Sequence, residues 1–191
     1  MLILASKSPR RQEILDILGI NYSVIPSDFD EEGVLDSPSP IALAEILATL
    51  KGRAVSNNNY GAYVLSADTV VEVDGISLGK PKDFGESKEM LKLLSGKAHS
   101  VITGVSLTKD GLLLDSFSEM TKVYFKNLTE TEINWYINTK DPFDKAGGYG
   151  IQGPGGIFVE KIEGCYFNVV GLPLSRTANL LRHHDLFKLG V

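Results

Sequence analysis

The chain has one cysteine, three histidines and one tryptophan in 191 residues, and it has no basic excess: 24 Asp and Glu outnumber 19 Lys and Arg, for a formal net charge of −5. Cys165 alone cannot close an internal disulfide, and His99, His183 and His184 lack cysteine or histidine partners at zinc-ligand spacing. A disulfide-stapled scaffold and a zinc centre are thereby excluded. The mild acidic balance argues against a general nucleic-acid or membrane-surface binder, which carries basic excess. No apolar run approaches the roughly 20 residues of a membrane span, and Met1-Leu2-Ile3-Leu4-Ala5 is too short, and lacks the basic flank, for a secretory signal. The expectation is a cytoplasmic protein with neither a nucleic-acid nor a membrane partner, in which any phosphate ligand meets a local basic cluster.

What is present is enough for a sizeable core, and strand and helix patterns alternate along it. Leu2-Ile3-Leu4-Ala5 and Tyr22 to Ile25 read as short strands, and 63–73 as a long one. Asp74-Gly75 is a two-residue hairpin signal leading into Ile76-Ser77-Leu78. His99 to Leu107 and Leu112 to Phe125 read as an antiparallel pair, with further strands at 157–162 and 166–170. Helices are expected over 9–18, 40–55, 86–94 and 175–187, and over the segment that Thr129 and Glu132 open as a capping box. The class is α/β, with a curved, partly antiparallel mixed sheet and flanking helices.

Four places carry chemistry. In Ser6-Lys7-Ser8-Pro9-Arg10-Arg11, Ser8 reads as an N-cap and Pro9 as the first helical residue, which puts two arginines in the opening turn. Each cation there costs about 0.3–1 kcal/mol against the helix dipole, whereas an anion reverses the sign through charge-assisted hydrogen bonds of about 1.5–3 kcal/mol. A phosphate site is one reading and a solvated turn the other. Asp68 interrupts an apolar strand; unpaired there, a carboxylate would cost several kcal/mol, so it meets a cation, a metal or solvent, either as a general base facing a cleft or on the outer side of an edge strand. The acidic run Asp28, Asp30, Glu31, Glu32 is a solvated loop or, with Asp68, a hard-cation site. Lys80 and Lys82 flank Pro81 in a turn, and Lys51 is a third candidate cation.

The glycine-rich stretch from Gly147 to Gly156 contains G-x-G-x-x-G at Gly148 to Gly153, but it leads into a strand rather than a helix, and no Gly-Lys-Ser/Thr of a Walker A motif follows. It therefore reads as a loop that approaches a ligand closely, with Tyr149 available for stacking and the Gln152 amide able to read a nucleobase edge.

Taken in order, Ser6-Lys7-Ser8-Pro9-Arg10-Arg11, Asp30-Glu31, Ser66-Ala67-Asp68-Thr69-Val70-Val71, Gly79-Lys80-Pro81, 99–105, 144–153 and 169–174 resemble the motifs of the Maf family of nucleoside triphosphate pyrophosphatases, over essentially the whole chain. The resemblance implies one Maf-like domain over 1–191, elongated, with a deep central cleft between two lobes. It implies hydrolysis of a nucleoside triphosphate to the monophosphate and pyrophosphate with a divalent cation, magnesium or manganese. Asp68 matches the family's proton acceptor. Arg10, Thr69 and Gln152 match its specificity positions. The accompanying expectation is that Ser8, Arg11, Lys51 and Lys80 bind the substrate and that Glu31 with Asp68 holds the metal. The stretch 144–153 looks like the branch acting on dTTP and UTP, and a homodimer is a family-based expectation. Two rivals remain open: a house-cleaning pyrophosphatase for modified nucleotides, and a non-catalytic nucleotide sensor regulating septum formation. One departure is Gly52, where alanine commonly follows the lysine matched by Lys51; a glycine should weaken the helix there.

Overall fold

A computed structural model describes residues 1–30 and 39–190. Thirteen labelled elements form its framework: β1 (Leu2–Leu4), α1 (Pro9–Asp16), β2 (Ser23–Val24), α2 (Pro40–Ser56), β3 (Tyr63–Val73), β4 (Ile76–Leu78), α3 (Phe84–Leu94), β5 (Ala98–Lys109), β6 (Leu112–Phe125), α4 (Glu130–Asn138), β7 (Val159–Glu163), α5 (Tyr166–Val170) and α6 (Leu174–His183). The expected mixed α/β class is observed. The strands make one seven-stranded sheet in the order β2-β1-β3-β5-β6-β7, with β4 paired to β3. β1 runs parallel to both β2 and β3, whereas β4 is antiparallel to β3 and β7 to β6.

Local chemistry explains most element ends. Asp74-Gly75 and Asp110-Gly111 each place two successive residues at positive φ, 53° and 80° in the first and 52° and 78° in the second, the conformation that a tight two-residue hairpin requires. Ser39 caps α2 by accepting from the Ala42 N–H at 3.2 Å, and Asp83 caps α3 by accepting from the Glu86 N–H at 2.9 Å. The Thr129/Glu132 capping box opens α4 with both of its hydrogen bonds formed.

Two segments differ from expectation. The stretch Tyr166–Val170 forms a helix, not a strand. Its aromatic and β-branched residues favour strands, but tertiary contacts prevail: buried Asn168 donates from Nδ2 to the Val101 carbonyl and to Thr121 Oγ, both at 2.9 Å. The strand expected over 157–162 starts later, because Pro154–Phe158 coils into a 3₁₀ turn before Val159.

The chain divides into two compact units. The first comprises Met1–Asp68, Thr103–Glu119 and the segment from Gly171, and the second Thr69–Ile102 and Met120–Val170. Ile3, Ala5, Val55, Ala62 and Val64 form a core in the first. The core of the second is aromatic: Phe125 meets Tyr149 edge-on at a centroid distance of 4.7 Å, and Tyr136 meets Phe158 at 5.1 Å.

His99 lies in that second core, 2% exposed, with Nε2 2.7 Å from the Tyr149 hydroxyl. Burial lowers its pKa from 6.5 to about 4. Between those two values the unfolded chain takes up a proton that the folded chain does not, so stability falls as the pH drops through this window, by about 3 kcal/mol in full. Urea unfolding at pH 7 and pH 4.5 measures the loss, and His99→Gln should flatten that part of the profile. An equal slope in the variant would remove His99 as its source.

Candidate active site

The first unit assembles its chemistry where α2 lies on β3 and β5. Ser66 and Asp68, two apart on β3, share one face, and Ala48, Lys51 and Gly52 share one side of α2. The Ser66 hydroxyl donates to the Ala48 carbonyl at 2.7 Å and pairs with the Ser106 hydroxyl at 2.8 Å. A methyl group at Gly52 would stand 2.6 Å from Ser66 Oγ and 2.9 Å from Thr108 Oγ1, and one at Gly104 would stand 2.3 Å from the Ala44 carbonyl oxygen. Gly52 is thus the contact that lets the helix settle on the strands, a packing reason for the residue that read as a weak helix end.

That close approach brings the Lys51 ammonium onto Oδ1 of Asp68 as a charge-assisted hydrogen bond, with the two side chains 14% and 11% exposed. Asp68 does not lie on an outer strand, because β3 has β1 on one side and β5 on the other. Pairing of β3 with β1 ends at Leu65 and pairing with β4 begins at Val71, so Asp68 falls in the interval between them. Thr69, the next residue along β3, begins the second unit and is half-buried.

At the start of α1, Pro9 is the first helical residue and no acidic residue occupies the first turn. Ser8 stands at the N-cap in an extended conformation, but its side chain makes no capping bond. Its N–H donates instead to Ser6 Oγ at 3.2 Å. Arg11 folds back onto protein: Nε donates to the Gly171 carbonyl at 2.8 Å and Nη1 to Ser6 Oγ at 3.3 Å. Arg10 is half-exposed beside it.

Lys80 and Gln152 are both exposed and belong to the second unit. Under the Gln152 loop lie three joined side chains, one of them bonded to it, that carry no mark in the sequence as a unit. The Tyr136 hydroxyl donates to Asp141 Oδ2 at 2.6 Å and accepts from the Gly150 N–H at 3.1 Å. Lys145 Nζ donates to the Asp141 carbonyl at 2.7 Å, to Asp141 Oδ1 at 2.9 Å and to Asp144 Oδ1 at 2.6 Å. Burial and the neighbouring Asp141 carboxylate push the Tyr136 hydroxyl well above its usual pKa, so it remains a donor. The available sequence signal was Asp141 and Lys145 four residues apart, just before the glycine run.

Tyr149 corrects one expectation. It is 6% exposed and packed against Phe125 and His99, so its ring is core and offers no face for stacking on a ligand. Burial drives its hydroxyl pKa upward. Glu31 lies outside the described residues, and so does Glu32. Of the acidic run, Asp28 stands 4.0 Å from Lys7, both exposed. Among the described residues no three or more His, Cys, Asp or Glu are placed so that together they could hold a metal ion, and no helix is long and apolar enough to cross a membrane.

A dTTP/UTP pyrophosphatase of Thermosipho africanus is 52% identical over 181 residues, covering 94% of this chain and 91% of its own. Another, of Bacillus cytotoxicus, is 50% identical over 184 residues, covering 96% and 95%. Among solved structures, a HAM1 protein from Coxiella burnetii superposes with a TM-score of 0.46 at 18% identity, covering 65% of this chain and 72% of that one. The sequence model of the Maf-like protein family matches residues 1–184. With the match running from β1 to the end of α6, the chain belongs to the Maf-like protein family.

Proposed function

We propose that this chain is a nucleoside triphosphate pyrophosphatase that hydrolyses dTTP and UTP to the nucleoside monophosphate and pyrophosphate. The observation that carries the reading is Asp68, a nearly buried carboxylate in the middle of β3 opposed by Lys51, in a chain about half identical to relatives named for that reaction. Asp68 accepts a proton from the water that attacks the α-phosphorus. The bond from that phosphorus to the bridging oxygen breaks, and pyrophosphate leaves. Ser8, Arg11, Lys51 and Lys80 hold the phosphates, where ammonium and guanidinium groups meet charge that builds up in the transition state. Arg10, Thr69 and Gln152 set the choice of nucleotide, the Gln152 amide by pairing with the base edge.

A divalent cation, magnesium or manganese, fits the donor chemistry of Asp68, a hard carboxylate oxygen of the kind that such ions take once or twice while phosphates and water complete the shell. When bound it would neutralise charge on the triphosphate. Asp68, with Glu31, would hold it.

The test is a panel of canonical and modified nucleoside triphosphates with magnesium or manganese, in which pyrophosphate and orthophosphate are measured separately. The expected result is pyrophosphate release, fastest from dTTP and UTP. Orthophosphate as the first product, or tight binding without turnover, overturns the reading, and a modified nucleotide far ahead of dTTP and UTP overturns the substrate assignment.

A further inference from the structure

Gln152 stands between Gly150 and Gly153 on a loop that is hydrogen-bonded to Tyr136 at Gly150 and lies close against Asp141 and Lys145. Tyr136 and Lys145 meet it at Gly150, and Asp141 and Tyr136 approach it again at Gly153 and Gly155. The Gly150 N–H is bound by the Tyr136 hydroxyl at 3.1 Å. Lys145 passes under Gly150 so closely that a methyl group there would meet its Cε at 2.5 Å. Asp141 Oδ1 lies 3.3 Å from where a Cβ of Gly153 would be, and the Tyr136 hydroxyl 2.9 Å from that of Gly155. The glycines thus let the loop wrap three polar side chains that are themselves joined, through Asp141 Oδ2 to the Tyr136 hydroxyl and Oδ1 to Lys145. Tyr136 is fully buried and the Lys145 side chain only 11% exposed, so the network sits on the rigid core of the second unit.

We propose that Tyr136, Asp141 and Lys145 act together as positioning residues that fix the backbone on both sides of Gln152 and thereby set the selectivity among nucleobases. The inference rests on the reading of Gln152 as a reader of the base. None of the three touches the reacting atoms; they act through the loop. A reader held from below discriminates because it cannot shift to meet the wrong pattern of donors and acceptors, and a displacement of about 1 Å in a positioned group can cost as much as 100-fold.

The experiment compares Tyr136→Phe, which removes one oxygen and keeps the ring packed on Phe158, with Asp141→Asn and Gln152→Ala in the full chain. The readout is the ratio of kcat/KM for dTTP over dCTP, with kcat for dTTP measured alongside. Tyr136→Phe and Asp141→Asn should each lower that ratio by roughly tenfold while kcat for dTTP stays close to wild type. In the Gln152→Ala background, Tyr136→Phe should lower it no further, since both changes act on one element. If Gln152→Ala lowers the ratio but neither Tyr136→Phe nor Asp141→Asn does, the positioning network is overturned and the role of Gln152 stands. An equal loss on both nucleotides makes the network purely structural and overturns it too. If Gln152→Ala itself leaves the ratio unchanged, the reading of Gln152 falls, and the inference with it.

Discussion

Asp68→Asn should lower pyrophosphate release from dTTP and UTP by about 10²–10⁴-fold, the range that a positioned general base contributes. Asparagine has nearly the same shape, and its amide oxygen can still accept from the Lys51 ammonium, so β3 and α2 should stay together. What the amide cannot do is take a proton from water. The change therefore separates proton acceptance from packing, in a position where nearly every neighbour along the strand is buried. Steady-state rates on a variant with an unchanged circular-dichroism spectrum make the measurement. Activity within a few-fold of wild type would mean that the water is activated elsewhere.

The second large effect is on stability. Lys51→Met keeps an unbranched stem of similar length against the strands but removes the ammonium from Asp68, leaving a carboxylate that is only 11% exposed without its cation. Breaking a buried ion pair from one side costs about 3–5 kcal/mol; residual exposure of both side chains places this pair toward the lower end. Removing the charge from both sides is a different matter, because no ion is then stranded. The double variant Lys51→Met/Asp68→Asn should recover most of the stability that Lys51→Met loses, yet remain inactive. Urea unfolding of the two single variants and the double one forms the cycle, and a Lys51→Met midpoint equal to wild type would show that the pair contributes nothing to the fold.

Features that depend on a few adjacent residues could be read directly from the chain. Asp74-Gly75 and Asp110-Gly111 carry their turn geometry in the residue types, Pro9 opens α1, and Thr129 with Glu132 announces α4. Asp68 was legible for another reason, since a carboxylate within apolar β3 demands a partner whatever the fold. Which partner was not legible. Lys51 reaches Asp68 because a missing side chain at Gly52 lets α2 close on Ser66 and Thr108, a contact between segments far apart in the chain. Tyr149 misled because a tyrosine within a glycine run looks exposed, whereas the positive φ of Gly147 and Gly148 turns the chain there and the ring is buried against Phe125 and His99. The Tyr136, Asp141 and Lys145 network was hidden for the same reason as the Lys51 contact: its meaning lies in what the loop wraps around.

The hydrogen bond from Arg11 to the Gly171 carbonyl spans 160 positions in the chain. During synthesis, Arg11 has no such acceptor until residue 171 has been made. The segments of the second unit, 69–102 and 120–170, all precede Gly171, so that unit is complete in sequence before the last segment of the first is made. The order of translation therefore favours closing the later-starting unit first, and the amino-terminal strand and helix, made earliest, are completed last.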